Sequence, residues 1–593
     1  MTATQPASAR GGDAIIPPAR TLRDYAVLAD GERGALLSPE GSIVWLCFPS
    51  WSSPPVFTSL LGMPGAYSIH PDGWHVWAGS YEPGTMIWRT RWTGRHGRLE
   101  CRDALSFPGD TQRAVLLRRL TAVQGEWSAR VGLQLAGDFG RAPLRDLHVE
   151  NGAWVGRLPE GEMRWSGGEK ARSDDGRTLE ARVVMQAGTY HDFVLELCTT
   201  AASDGPPDAE RLWQQTEAAW HSAVPDFRST IADRDVQQSY AVLRGLTSVR
   251  TGACVAAATT SLPERADAAR DYDYRFAWVR DQCFAGEAMA VLEHAPLLED
   301  SVRFISERVL QDGPDLAPVY TTTGERVPGQ DRIDITGYPG APTVMAGNPA
   351  GSQFQLDAFG EVLLLLGAAA AVHRLDDRGR HAAEVAARAI EQRWHEPDCG
   401  IWETDARRWA HSRLVCAAGL RRMASQTSPG PTVARWLALA DTITADVAAN
   451  STHPTGRWQR APDDDRIDAS LLLAQIRGAV PADDPRSRLT LQAVDAELGN
   501  DGFVYRYRKA NQPLGQSEGA FLLCSFWMAL ASWQAGERVR ASMWFERARS
   551  ACGPPALFCE EYDVEQRELR GNLPQVFVHA MLMETAAAMA RER

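Results

Sequence analysis

The first third of the chain is dominated by short segments in which apolar and polar residues alternate. A period of two is typical of strands that bury one face. Turn-forming pairs such as Asn151-Gly152 separate these segments. The pattern predicts an antiparallel β-sandwich over residues 20–205, after a disordered tail at 1–19. The clearest segments are 85–92, 127–135 and 189–197.

After the break Ser203-Asp-Gly-Pro-Pro207, apolar residues recur at every third or fourth position, as in amphipathic helices. This spacing predicts a helical linker over 206–230 and a helical domain of about a dozen helices over 231–593. No repeat of about 20 to 50 residues accompanies the helices, which favours a closed α/α barrel over a superhelical array. The best-defined helical stretches are 233–250, 276–293, 353–374, 382–394, 433–449, 518–535 and 574–591.

Composition narrows the class of function. A net charge of −13 disfavours a nucleic-acid partner, and the longest apolar run, 362–372, is too short for a membrane span. Residues 1–18 lack the charged and apolar segments of a secretory signal, and ten cysteines without metal-type spacing fit a reducing compartment. We therefore expect a cytoplasmic protein with no cofactor and no metal, acting on a neutral ligand. The sequence leaves open whether copies assemble into a homo-oligomer.

Two loops carry candidate catalytic carboxyl groups. Glu403 follows Ile401 and Trp402, and a carboxyl group beside apolar side chains keeps its proton more readily, as a general acid requires. An exposed loop glutamate is the alternative interpretation. The segment Phe558-Cys-Glu-Glu-Tyr-Asp563 gathers three carboxylates beside aromatic residues. Like charges repel, so this cluster indicates a purpose, although a charged surface turn is an equal alternative.

A third loop, Asp273-Tyr-Arg-Phe-Ala-Trp-Val-Arg-Asp281, places charged residues among aromatics at a predicted helix start. Arg280 and Asp281 could bond sugar hydroxyls, or they could form a structural ion pair. Glycoside hydrolysis requires one carboxylic acid and one carboxylate, and Glu403 and Glu560 qualify. Only a fold that gathers successive interhelical loops at one end would bring these two together.

The loops resemble those of family 15 glycoside hydrolases, the glucoamylase and bacterial trehalase group. The N-terminal Asp24-Tyr25 and Gly41-Ser-Ile-Val-Trp-Leu46 also resemble the β-domain that opens bacterial members, so the resemblance covers nearly the whole chain. Five segments carry it in order: Thr260-Ser-Leu-Pro-Glu264 with Asp273 to Asp281; Gly347-Asn348 with Gln353-Phe-Gln-Leu-Asp357; Gly400-Ile-Trp-Glu403 with His411-Ser412; Glu518-Gly-Ala-Phe-Leu-Leu-Cys-Ser-Phe-Trp527; and Glu560-Glu561 with Gly571-Asn-Leu-Pro-Gln575.

The resemblance implies an (α/α)6 barrel behind a β-sandwich, and hydrolysis with inversion, with Glu403 as acid and Glu560 as base. It further implies exo-acting release of β-D-glucose from α-1,4- or α-1,6-linked gluco-oligosaccharides. A trehalase and a non-catalytic carbohydrate-binding protein are the alternatives. The residues that it implies for substrate contact are Tyr274, Trp278, Arg280, Asp281, Trp402, Arg506, Glu518 and Glu561.

The sequence departs from the family pattern at the expected pocket rim. Asp271-Tyr272 stands where bacterial relatives show Asn-Trp, and Val344-Met-Ala346 lacks an arginine that they carry before Gly347-Asn348. Recognition beyond the terminal glucose, and hence linkage preference, therefore stays open. A phosphorolytic enzyme would need no carboxylate base, so the retained Glu560 argues against it. The acidic run Asp463-Asp-Asp465 is interpreted as a solvated loop rather than a cation site.

Overall fold

The computed structural model describes residues 16–95, 97–200, 205–265, 271–293, 295–341, 343–509 and 512–591. The disordered tail predicted at 1–19 falls mostly outside these ranges. The described chain forms a β-domain, a connecting helix and a helical barrel. The domain limits at 205 and 230 stay predictions.

Two antiparallel sheets pack face to face in the β-domain, and the predicted sandwich is confirmed. The strands are β1 Ala26–Ala29, β2 Gly34–Leu37, β3 Ser42–Cys47, β4 Pro55–Phe57, β5 Ala66–Pro71, β6 His75–Tyr81, β7 Trp88–Gly94, β8 Gly97–Leu105, β9 Arg113–Gln124, β10 Trp127–Gln134, β11 Ala142–Pro143, β12 Arg145–Glu150, β13 Ala153–Leu158, β14 Gly161–Ser166, β15 Thr178–Met185 and β16 Tyr190–Cys198. One sheet has the order β1-β2-β3-β5-β10-β15, with β4 on β3, and the other β12-β13-β14-β16-β9-β8-β7-β6.

Strands β1 to β3 are buried on both faces, because their sheet lies between the sandwich core and the barrel. On one side, Leu37 and Leu46 join Trp92 of the opposite sheet in the sandwich core. On the other, the indole N–H of Trp45 donates to the carbonyl of Ala258, at 2.9 Å. The β-domain is thereby fastened to a barrel loop that leads toward the candidate site.

Fourteen helices occur in the described chain, of which α3 to α14 build the barrel. A short turn, α1 Gly137–Gly140, belongs to the β-domain, and α2 Ala209–Ala223 is the connecting helix. The barrel helices are α3 Asp233–Leu246, α4 Val279–Val291, α5 Ala295–Asp312, α6 Asp357–Ala371, α7 Asp377–Arg393, α8 Ala410–Ser425, α9 Pro431–Asn450, α10 Leu473–Ile476, α11 Pro485–Leu498, α12 Leu522–Gln534, α13 Arg538–Arg549 and α14 Val576–Ala590.

The barrel helices form two rings. The even-numbered helices pack side by side in the order α4, α6, α8, α10, α12 and α14, and α14 returns to α4, which closes the inner ring. Burial follows this arrangement: α6 and α12 are enclosed along almost their full length, whereas α7 buries one stripe that includes Ala383 and Ile390. The predicted (α/α)6 barrel is confirmed.

The loops that lead into the inner helices contain the remaining short strands and reach one end of the barrel. These short strands are β17 Ala277–Trp278, β18 Val319–Tyr320, β19 Asp331–Ile333, β20 Val344–Ala346, β21 Gly499–Asn500, β22 Phe503–Val504, β23 Ala520–Phe521, β24 Glu561–Asp563 and β25 Glu568–Arg570.

Among the described residues, no helix combines the length and apolar character that crossing a membrane requires.

Candidate active site

A cavity of about 190 Å³ opens at the end of the barrel where the inner helices begin. Its walls come from five loops that are far apart in sequence, which is the gathering that the two candidate carboxyl groups require. Eight of the ten predicted site residues line it: Tyr274, Trp278, Arg280, Asp281, Trp402, Glu403, Arg506 and Glu560.

Glu403 sits on a tight turn at one wall. The backbone N–H of Glu403 donates to the carbonyl of Gly400, and Glu403 has φ 55°, in the left-handed region. A non-glycine residue in this region is uncommon and persists where the surroundings impose it. Those surroundings include the buried carboxylate of Asp398, which accepts from the N–H of Gly400 at 2.9 Å and is ion-paired with Arg413.

The carboxyl group of Glu403 has polar partners on one oxygen. The indole N–H of Trp278 donates to its Oε1 at 2.7 Å, and the guanidinium of Arg280 lies 3.7 Å from the same atom. The side chain is 26% exposed. Both contacts engage Oε1, and no described contact engages Oε2.

Arg280 and Asp281 form the floor. Both lie in the first turn of α4, where the helix begins directly after β17. Nε of Arg280 donates to Oδ2 of Asp281 at 3.0 Å, and Nη1 donates to the carbonyl of Ile401 at 2.8 Å. Burial raises the pKa of Asp281 to about 6, against the lowering effect of Arg280. Among the described contacts, Oδ1 of Asp281 has no hydrogen-bond partner, so it can accept from a hydroxyl group in the cavity.

Glu560 occupies another wall, in an environment unlike that of Glu403. It is only 5% exposed, and the phenol O–H of Tyr274 donates to its Oε2 at 2.9 Å. Burial raises the pKa of Glu560, and the nearby carboxyl group of Glu264 adds to the rise. Arg506, the Tyr274 hydrogen bond and Arg280 act in the opposite direction.

Three carboxyl groups meet here, because single oxygens of Glu264, Glu560 and Glu561 lie within 4.8 Å of one another. All three side chains are buried. A positive charge is already present, since Nη2 of Arg506 lies 4.0 Å from Oε1 of Glu561. We assign no metal to this cluster, because a guanidinium at that distance opposes a cation. Burial raises the pKa of both Glu560 and Glu561, and the nearby charge of Glu264 adds to each rise.

Trp402 forms a side wall next to Glu403. Its indole N–H donates to Oδ1 of Asp468 at 2.8 Å, and the guanidinium of Arg506 lies over its ring at 5.6 Å. Asp468 is itself buried and accepts from Nε of Arg460 at 2.9 Å. The indole is therefore fixed at its edge and on one face, which holds the wall in one orientation.

The structure places two predicted contact residues behind the wall. Glu518 accepts from Nη2 of Arg506 at 2.6 Å, and Glu561 accepts from the N–H of Gly519 at 2.6 Å. Neither side chain lines the cavity. Their positions next to Arg506 and Glu560 therefore favour a supporting role over the substrate contact that the resemblance implied.

Sequence reasoning did not select Glu264 or Asp468 as site residues. Glu264 lines the cavity, and its segment was one of those that carried the family resemblance, so a signal existed. Asp468 stands alone in a loop between α9 and α10, and no motif marks it.

The departures from the family pattern lie at the cavity and its rim. Tyr272 lines the cavity and stacks with Tyr274, with ring centroids 6.5 Å apart. Met345 is half-buried in the β19–β20 hairpin, and its carbonyl accepts from the hydroxyl of Thr260 at 2.8 Å. Met345 is not among the residues that line the cavity.

Comparison with known proteins covers nearly the whole chain. Residues 231–587 match the glycosyl hydrolases family 15, and residues 17–220 match the trehalase-like N-terminal domain. A trehalase of Mycolicibacterium smegmatis is 31% identical, with 100% of this chain and 94% of the relative covered. A trehalase of Mycobacterium tuberculosis is also 31% identical, with 97% and 90% covered.

A solved structure shares the fold. A bacterial glucoamylase complexed with acarbose superposes with a TM-score of 0.71 and 13% identity, covering 99% of this chain and 96% of the other. At that identity the likeness concerns the fold alone. The family match, by contrast, spans well over half of the chain and contains every loop that lines the cavity. The chain therefore belongs to glycosyl hydrolase family 15 and is a hydrolase of O-glycosyl bonds.

Proposed function

We propose that the protein is a trehalase, which hydrolyses α,α-trehalose to two molecules of glucose. The observation that carries the proposal is the similarity to trehalases at 31% identity over essentially the full length of both chains. This favours the alternative raised by the sequence over the glucoamylase-type activity that was its main prediction. The likeness to the glucoamylase, by contrast, is one of fold alone.

The proposed reaction uses the two carboxyl groups in different roles. Glu403 protonates the glycosidic oxygen from Oε2, while Oε1 stays bound to the indole of Trp278. Glu560 takes a proton from water, whose oxygen attacks the anomeric carbon from the opposite face. The C–O bond to the leaving glucose breaks, and that glucose departs with the proton from Glu403. One trehalose and one water give two glucose molecules.

The remaining wall residues hold the sugar for this step. Asp281 offers an unpartnered oxygen to a hydroxyl group, and Arg280 keeps that carboxylate in place. Tyr274 and Trp278 meet edge to face, with centroids 5.5 Å apart, and each holds one of the two catalytic carboxyl groups. The pair therefore fixes the positions of acid and base relative to each other. Trp402 adds an apolar face on which a sugar ring can pack.

Substrate choice is tested by initial rates on a panel of sugars at equal concentration: trehalose, maltose, isomaltose, maltotetraose and panose. The proposal expects kcat/KM for trehalose to exceed that for every other sugar. Faster turnover of maltose or isomaltose would return the assignment to a glucoamylase-type enzyme. Binding of these sugars without turnover would identify a non-catalytic carbohydrate-binding protein.

A cytoplasmic location and a reducing environment remain part of the proposal. The ten cysteines are free thiols in the structure, and eight of them are buried. Cys399 and Cys552 are the two that reach partial exposure.

A further inference from the structure

The carboxyl group of Glu264 is the one member of the three-carboxyl cluster, besides Glu560, that lines the cavity. It is 3% exposed, so its charge is felt at short range and with little screening by solvent. The catalytic scheme above gives it no task. A buried carboxyl group at a reacting site without a task is unusual, because its desolvation is costly.

Backbone contacts hold Glu264 in this position. The N–H of Gly571 donates to the carbonyl of Pro263 at 2.9 Å, next to Glu264 in sequence. Asn572 accepts from the hydroxyl of Thr259 at 2.9 Å and from the N–H of Leu262 at 3.4 Å. The segment 571–572, which follows the base in sequence, is thereby hydrogen-bonded to the loop segment 259–263 that leads directly into Glu264.

We propose that Glu264 is a positioning residue for the base, Glu560. The carboxyl group of Glu264 sets the pH at which Glu560 ionises, and hence the acid limb, which is the low-pH side of the pH–activity profile. A second carboxyl group this close competes for the same proton and repels a second negative charge. Glu560 must be ionised to accept a proton from water. The acid limb therefore lies at higher pH with Glu264 present than it would without it.

The other groups that face Glu560 act on the same equilibrium. Burial is the largest effect on the pKa of Glu560, Glu264 the next, and both raise it, whereas Arg506 and the Tyr274 hydrogen bond lower it. Arg506 is shared, because it donates to Glu518. Glu264 is therefore the largest neighbouring influence on the base. The titratable and charged groups that face Glu560 are Glu264, Glu561, Tyr274, Arg280, Arg506, Cys524 and Cys559.

The test is the pH profile of kcat/KM for wild type, Glu264→Gln and Glu264→Asp. The glutamine variant keeps the size of the side chain and removes the ionisable group, so the acid limb should move to lower pH by about one unit. The aspartate variant keeps the charge and should move the limb less. Asp463→Asn, an exposed carboxylate ion-paired with Arg407, is the matched control and should leave the profile unchanged.

This inference rests on the proposed function, and a second measurement separates the two. The cationic iminosugar deoxynojirimycin is titrated calorimetrically into each protein from pH 4 to pH 9, without any turnover. The ionisation of the iminosugar itself is common to all variants. A lower midpoint in the pH dependence of its affinity for Glu264→Gln therefore supports the role of Glu264 even if trehalose is not the substrate. If neither the midpoint of the binding pH profile nor the acid limb of kcat/KM moves, and activity is lower at every pH, Glu264 has a structural role only. That result would overturn the inference. If the glutamine variant does not fold, Glu264→Met takes its place, because it also removes the ionisable group and should move the acid limb to lower pH.

Discussion

The two walls of the cavity that carry the proposed acid and the proposed base contain the same residue type in opposite surroundings. Glu403 stands on a left-handed turn, is partly exposed, and has an indole N–H and a guanidinium beside one oxygen. Glu560 is buried, receives a phenol O–H, and faces two further carboxyl groups. The difference teaches that, in the proposed mechanism, backbone geometry places the acid, whereas electrostatic neighbours tune the base. Environment rather than residue type assigns the role.

The largest expected effect separates the two walls directly. Glu403→Gln and Glu560→Gln should each lower kcat for trehalose by about 100- to 10,000-fold. α-Glucosyl fluoride distinguishes them, since fluoride leaves without a proton from the acid. The Glu403 variant should retain most of its wild-type rate on the fluoride, and the Glu560 variant should lose it. Equal losses on both substrates would erase the proposed division of roles.

The hydrogen-bond donors of the two walls give the next effect. Trp278→Phe and Tyr274→Phe each remove one donor to a carboxyl group, which corresponds to a loss of about 10- to 100-fold in kcat/KM. The pH profiles should differ. The Tyr274 bond stabilises the ionised form of Glu560, so its loss raises the pKa of the base further and moves the acid limb to higher pH. Melting temperatures of both variants control for folding, and a Tyr274→Phe limb that moved to lower pH would contradict this electrostatic account.

A smaller effect is expected from the side wall. Asp468→Asn weakens the bond that holds the Trp402 indole, so the wall can reorient while both catalytic carboxyl groups stay in place. Steady-state kinetics should show KM for trehalose rising several-fold, with kcat changed less. A loss confined to kcat would instead indicate that Asp468 supports the turn that carries Glu403.

The smallest effect concerns the acidic loop. Asp463 is exposed and pairs with Arg407, and Asp464 pairs with Arg466. Exposed ion pairs contribute little to stability. Asp463→Asn should therefore match the wild type in melting temperature and in activity, with and without added calcium. A calcium-dependent melting temperature in the wild type alone would reinstate the cation site.

Architecture was predictable from the sequence because period-two and period-three-to-four patterns are local. Asn151 and Gly152 both have positive φ between β12 and β13, as an Asn-Gly hairpin requires. The inner helices, however, begin later than predicted: α4 at Val279 rather than 276, and α12 at Leu522 rather than 518. The preceding residues pair as short strands with distant loops, which local periodicity does not register.

Most of the candidate site was predictable from motifs, although Glu264 was missed within one of them. Eight of the ten predicted residues line the cavity, because their loops carry recognisable segments. The left-handed turn at Glu403 and the support from Asp468 depend on contacts between distant loops. Glu518 and Glu561 lie behind the wall because each carboxylate is engaged by a donor there.

The most direct test of the account is the anomeric form of glucose released from trehalose, followed by proton NMR during the first minutes. Inversion at one ring with an intact leaving ring predicts equal initial amounts of β- and α-glucose. Mutarotation then brings both toward equilibrium. Initial release of α-glucose alone would show retention and would contradict the assignment of Glu560 as a base that activates water.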